Sequence, residues 1–341
     1  MNMRLKRAFA LLAAGGLLLP GMTQAAAGVK LKLGTLAPNN SSYHKAMLTM
    51  GEKWKQVSNG LVQLTVFPDG RLGGEADMVG LMQTGSLDAG LLTAVGIAEI
   101  EPAVNALQSM PMSFRSLEEV DYVGEKLGPM LEKRLLEKGY VVLFWSDSGW
   151  VRFFTTTPMR TPDDLRKLKI FSWAGNTHEY DLWKSSGFNP VSLETAGIAQ
   201  ALLSGTISAI SMPPLYANPG RMDTQAKYML ELNWAPLVGA AVIRKKSWDK
   251  IPEQFREPML KAAADTGRQV KAAGRSENDA AVAAMEKRGL KVQKVTPEIE
   301  AEWRAAVEKV NHQIRGKIVP ADMYDEAQRI LKEYRAGKGQ P

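Results

Sequence analysis

The sequence predicts an α/β fold of two lobes, each a sheet covered by helices, joined by crossover strands and one long helix. Three observations carry the prediction. Strand-like and helix-like segments alternate along most of the chain, the pattern of parallel sheets with covering helices. The alternating series closes near residue 149 and then begins again. A stretch rich in Ala, Glu, Lys and Arg, running from Pro258 to about Arg288, reads as one helix of roughly 45 Å at 1.5 Å per residue, which exceeds one small lobe.

The elements follow in order. KLKLGTLA (30–37) alternates Leu with Lys and Gly as a half-buried strand. SSYHKAMLTMGEKWKQVSNG reads as a helix capped at Ser41 or Ser42 and stopped at Asn59-Gly60. LVQLTVFP (61–68) is a second strand, 74–84 a helix, LDAGLLTA (87–94) a third strand, 117–138 a helix, and YVVLFWSDSG (140–149) a strongly apolar strand. The second series has strands at RFFTTTP, LKIFSW, NPVSL and TISAISMPP, with helices at THEYDLWKSSG and TAGIAQALLSG. LMQTGSLDAG (81–90) echoes ALLSGTISAI (201–210), and Gly85 and Gly205 sit where a helix end favours a left-handed residue. LNWAPLVGAAVIRKKSW reads as strand, LKVQKV as a late strand, and two closing helices follow.

The first 27 residues combine a basic MNMRLKR, an apolar AFALLAAGGLLLPGM and a small-residue TQAAA, the three parts of a secretory signal peptide cut after Ala25 or Ala27. The apolar run is short and broken by Gly and Pro, which disfavours a membrane anchor. The 341 residues include no cysteine, which excludes disulfides and a lipidated cysteine. Three of the 43 basic residues, Arg4, Lys6 and Arg7, belong to the leader; the rest nearly balance 36 acidic ones, so nucleic acid is not an expected partner.

Enzyme motifs are missing: there is no GxxxxGK[ST], GxGxxG, GxSxG or HExxH. His44, His178 and His312 do not have metal-ligand spacing, and Glu118-Glu119 and Asp163-Asp164 read as helix-start acids. Neither metal nor cofactor is expected.

VFPDGRLGGEADMVGLMQTGSLDAG (66–90), PMRTPDDLRKLKIFSW (158–173) and NPVSLETAGIAQALLSGTISAI (189–210) resemble, in order and spacing, three blocks of the dicarboxylate-type solute-binding proteins of tripartite ATP-independent periplasmic (TRAP) transporters. The resemblance implies a periplasmic-binding-protein-like fold, a small organic anion bound in the interlobe cleft, and delivery to a sodium-driven TRAP permease without catalysis. It places lobe I at 28–148 with about 237–276, lobe II at 149–236 with about 277–330, and a tail at 331–341. A soluble periplasmic monomer is expected. A two-lobe binding protein serving another transporter or a sensor kinase is the alternative, and a periplasmic enzyme the lesser one.

The resemblance also exposes departures. The family arginine that pairs with a ligand carboxylate falls at Phe171, and the family amide at Met212. Phe171 and Trp173 are either core of the second lobe or lining of an apolar cleft, with Trp173, at the strand end, the better lining candidate. Arg152 sits one residue away from a family arginine; it either replaces the missing cation or lies on the other face of the strand. Glu75, Asn40 and Thr93 are candidate polar contacts near helix starts, and Trp145, Tyr216 and Trp234 candidate aromatic ones near lobe crossings.

Overall fold

The structure is a computed structural model describing residues 28–337; the leader read over 1–27 lies outside the described residues. β1 (Val29–Thr35), α1 (Ser42–Val57), β2 (Val62–Phe67), α2 (Glu75–Thr84), β3 (Ala89–Thr93) and the short α3 (Ala94–Ala98) open the chain. A 3₁₀ turn (Pro102–Leu107) leads to α4 (Leu117–Glu137) and β4 (Tyr140–Trp150). The second series is β5 (Arg152–Thr155), α5 (Pro162–Arg166), β6 (Lys169–Trp173), α6 (Thr177–Ser185), β7 (Asn189–Leu193), α7 (Ile198–Leu203), β8 (Ala209–Met212), α8 (Pro214–Ala217) and β9 (Tyr228–Leu230). β10 (Pro236–Arg244), α9 (Lys245–Trp248), α10 (Glu253–Glu286), β11 (Lys291–Gln293), α11 (Pro297–Glu308), α12 (Asn311–Gln313) and α13 (Ala321–Gly337) complete it.

Local chemistry sets the boundaries. Ser41 Oγ accepts the His44 N–H at 3.2 Å and starts α1. Asn59 and Gly60, at φ 52° and 83°, turn the chain out of it. Gly85 and Gly205 adopt φ 88° and 72°, as their places after helices require. Thr161 and Asp164 form a reciprocal capping box, the side-chain oxygen of each accepting the other's N–H at 3.2 and 3.1 Å.

The strands form two sheets, ordered β2-β1-β3-β10-β4 and β11-β9-β5-β8-β6-β7. β1 pairs in parallel with β2 and β3, and β10 lies antiparallel between β3 and β4. In the second sheet β6 is parallel to β7 and β8, while β5 is antiparallel to β8 and β9. The first sheet packs one face on α4 and the chain's last helix, the other on α1 and α10. The second sheet is likewise covered on both faces.

The long helix does lie across both lobes. Met259, Ala263 and Val270 of α10 belong to the first lobe's core, Ala281 and Met285 to the second's. Its close approach to β4 depends on small residues: a Cβ on Gly267 would come within 2.6 Å of Phe144 Cβ.

The end of the chain differs from the expectation. Residues 331–337 are helix, not tail, and α13 packs on α4 of the first lobe through Met323, Ala327, Ile330 and Leu331. Their i, i+4, i+7, i+8 spacing makes one apolar stripe, and α4 offers the matching surface in Leu127 and Leu131. Arg335 fixes the far end with Nε and Nη2 on the Glu119 carboxylate at 2.8 Å each. The chain therefore crosses between lobes once more, through 309–320.

The interlobe cleft as candidate functional site

The C-terminal ends of β1 and β3, where open α/β sheets present ligand sites, face the second lobe across a cavity of about 690 Å³. Leu91–Thr93, Ser146–Ser148 of β4 and Leu237–Gly239 of β10 line the first-lobe side; Trp173, Ser211–Pro213 and Tyr216 line the other.

Glu75 opens α2 at the mouth. Its Oε1 accepts the Thr93 N–H at 2.7 Å, and its Oε2 accepts the Thr93 hydroxyl at 2.6 Å and the Gly96 N–H at 3.0 Å. Burial raises its pKa against the lowering effect of those donors. With three bonds already made, the carboxylate ties α2 to the start of α3. Glu179, on α6, is also pushed up by burial; it accepts from Asn176 Nδ2 at 2.7 Å and from the Trp183 indole at 3.4 Å.

A hydroxyl cluster lies where the chain crosses between lobes. Ser148 Oγ is 2.6 Å from Tyr43 Oη and 2.9 Å from Tyr216 Oη, and Tyr43 also donates to the Asp147 carbonyl at 3.3 Å. Burial pushes the Tyr216 phenol up to about 12, so both tyrosines are neutral donors and acceptors at any physiological pH. The strand end is held firmly. Asp147 takes Arg275 Nε and Nη2 at 2.9 and 2.7 Å, and Arg275 also grips Asp121. Asn278 Nδ2 donates to the Ser148 carbonyl at 2.7 Å while its Oδ1 accepts Leu215 N–H at 3.1 Å. Gly149, at φ 73°, makes the turn beside it.

Aromatic rings form another part of the wall, which Arg166, Lys309 and Gln313 also line. Trp183 stacks on Trp234 at 5.7 Å, Trp234 meets Trp303 edge-on at 5.6 Å, and Phe188 meets Trp183 edge-on at 4.8 Å. All four line the cavity.

Of the residues singled out in the sequence, Trp173, Met212, Glu75, Thr93, Tyr216 and Trp234 reach the cavity wall. Four lie elsewhere. Phe171 is 1 % exposed in the second lobe's core, under the ring of Trp173 at 5.0 Å. Trp145 points to the α4 side of its sheet and donates to Glu132 at 2.9 Å. Asn40 sits in a turn at φ 62°, its N–H on His44 Nδ1. Arg152, opposite Met212 in the sheet, is not part of the wall; its Nη1 is buried without a partner, and burial lowers its pKa against the pull of Glu231 and Asp279. Val151 takes the place on the wall instead, so a one-residue shift has exchanged the faces. Sequence reading missed Tyr43, Ser148, Trp183, Phe188 and Trp303. The hydroxyls of "SDSG" just before the crossing were a usable signal. Nothing local marked Trp303, on a helix far along the chain.

The family model described as bacterial extracellular solute-binding protein, family 7, matches residues 33–317. Among curated relatives, the C4-dicarboxylate-binding periplasmic protein DctP of Rhodobacter capsulatus is 24 % identical over 269 residues, 77 % of this chain and 80 % of the relative. The 2,3-diketo-L-gulonate-binding periplasmic protein YiaO of Escherichia coli is 25 % identical over 248 residues, 72 % and 75 % of the two chains. In fold, the chain resembles a TRAP periplasmic solute-binding protein of Ralstonia eutropha solved with (S)-2-acetolactate, with a TM-score of 0.82, 20 % identity, and coverage of 89 % and 99 %. A TRAP periplasmic solute-binding protein of Chromohalobacter salexigens solved with D-glucuronate gives a TM-score of 0.81 at 20 % identity, covering 89 % and 100 %.

Proposed function

The chain belongs to bacterial extracellular solute-binding protein family 7, the receptors of TRAP transporters, and on that premise we propose that it captures a small organic acid of more apolar body than succinate and delivers it to a sodium-driven permease. Members of the family are periplasmic receptors, not enzymes, and work with TRAP membrane permeases. The relatives' names and bound molecules supply the acid class: a C4-dicarboxylate, diketogulonate, acetolactate and glucuronate. The observation that carries the departure from succinate is the cleft itself. Its 690 Å³ falls within the roughly 300–1,000 Å³ range of sites that enclose drug-sized molecules. Aromatic rings form much of its wall, and the position where the family sets its carboxylate-pairing arginine is buried phenylalanine. The same reading includes removal of the leader, a monomeric receptor, and no role for nucleic acid or a cofactor.

Mass spectrometry of the small molecule that co-purifies with the periplasmic protein, followed by small-angle scattering on saturation with it, tests the reading. The expected result is an organic acid that shrinks the radius of gyration as the lobes close. Tight succinate binding, or binding by calorimetry without change in radius, contradicts it.

A further inference from the structure

The cavity is chemically divided. One end carries the hydroxyls of Ser148 and Tyr216 with Thr93 close to the mouth. The other is walled largely by indoles and a phenyl ring, with Lys309 and Arg166, whose guanidinium lies 4.8 Å from the Phe188 ring centre, also on the wall. Trp303 Nε1 donates to the Arg160 carbonyl at 2.7 Å and Trp183 Nε1 to Glu179 at 3.4 Å, so these two rings offer carbon surface to the space between the lobes. Ring carbon is also what Phe188 presents. Facing the rings are the last turn of α11 and the crossing beyond it, with Ala306, Val310 and Ile314 on the cavity wall. Those residues lie in the segment that carries the chain from the second lobe's core, at Trp303, to the first lobe's, at Ile314. The apolar end is thus enclosed by both lobes and cannot be complete unless they are together.

We propose that this aromatic chamber is a subsite for the ring or branched hydrocarbon body of the ligand, distinct from the hydroxyl-lined end that takes its polar head. The inference rests on the receptor reading above and narrows it to acids with a ring or branched hydrocarbon body. Arg166 and Lys309 also line the cavity, but three indoles and Phe188 give it a broad carbon surface. An apolar body gains from the same contacts in proportion to the area it buries.

The test uses the mature chain and a series of probes: acetate, phenylacetate, 4-phenylbutanoate and 6-phenylhexanoate, titrated by calorimetry and by tryptophan fluorescence. Affinity should rise roughly fourfold per methylene, which is ~0.8 kcal/mol per buried CH₂ converted at 25 °C, until the chamber is filled. Ala306→Phe, at a partly exposed wall position, should remove the gain for the longest acid and spare phenylacetate; Val310→Phe repeats the test if the first variant melts early. A flat series, or equal loss for short and long acids in the variants, overturns the chamber. That failure is separable from failure of the receptor reading: with the co-purified solute still closing the lobes in scattering, only the chamber falls.

Discussion

The hydroxyls of Tyr43 and Tyr216 meet on a single atom, Ser148 Oγ, at 2.6 and 2.9 Å, while their rings stand 6.1 Å apart. Tyr43 comes from the first helix of the first lobe, Tyr216 from the turn after β8 in the second, and Ser148 from the strand that joins the lobes. Three hydroxyls supply one proton each. If Tyr43 donates to the Asp147 carbonyl, Ser148 donates to Tyr43 and Tyr216 to Ser148, leaving the Tyr216 oxygen to accept from the cleft. If Tyr43 instead donates to Ser148, the order reverses and Tyr216 donates into it. The cluster therefore fastens the two lobes and adapts its open end to the ligand's head.

Ser148→Ala should destabilise the protein by about 1–3 kcal/mol, the cost of leaving buried polar groups unpaired. Tyr216→Phe should cost less, because Tyr43 and Ser148 still satisfy each other. Urea unfolding of both variants measures the difference; equal, negligible effects would mean that the cluster does not hold the lobes.

Phe171→Arg should not restore the family's carboxylate clamp. The side chain is packed with Phe154, Ile210 and Ala281, so a guanidinium there is a buried unpaired charge, costing on the order of 3–5 kcal/mol as for a broken buried pair. The expected variant melts early and gains no succinate binding in calorimetry. A stable variant that binds succinate would return Phe171 to the cleft.

Arg152→Met should be tolerated. The guanidinium leaves Nη1 unpaired and lies off the cavity wall, and replacing buried charge by apolar volume is often neutral or stabilising. Ligand affinity should change by less than about tenfold, the 1.4 kcal/mol step. A loss of several orders of magnitude would make Arg152 the ligand's cation after all.

Arg335→Met should alter the acid side of the stability profile. Burial of Glu119 alone would raise its pKa, but the hydrogen bonds from Arg335 and the Arg115 N–H outweigh it and hold the carboxyl below its usual range. A depressed folded pKa gives stability that is present above the unfolded value, about 4.3, and lost as pH falls through the folded one. Thermal unfolding from pH 7 to 3 should show a smaller acid-side loss in the variant than in the natural protein. Parallel curves would show that the pair contributes nothing.

Much of the fold was legible because it is written in local patterns. The period-2 strands, the Ser41 cap, the left-handed Gly85 and Gly205 and the run of α10 without proline after Pro258 each follow from backbone and side-chain chemistry within a few residues. The three motif blocks pointed to the family for the same reason: their order along the chain is itself a sequence property. What the sequence could not decide is which face a residue presents once sheets twist and chains cross. Phe171 and Trp173 are two positions apart on one strand, yet one is packed in the core and the other, the strand's last residue, reaches the cleft. Val151 faces the cavity and Arg152 does not, and Val151 is held there by backbone bonds to Ala235 and Trp234, residues some 80 positions away. The closing helix was legible but its place was not: the apolar surface of α4, some 200 positions earlier, docks it on the first lobe and carries it on to Gly337, where the sequence from Tyr334 looked like a frayed tail. Trp303 reaches the cavity by the same long-range logic: its indole N–H is taken by Arg160, 143 positions away, and that bond turns its ring toward the space between the lobes.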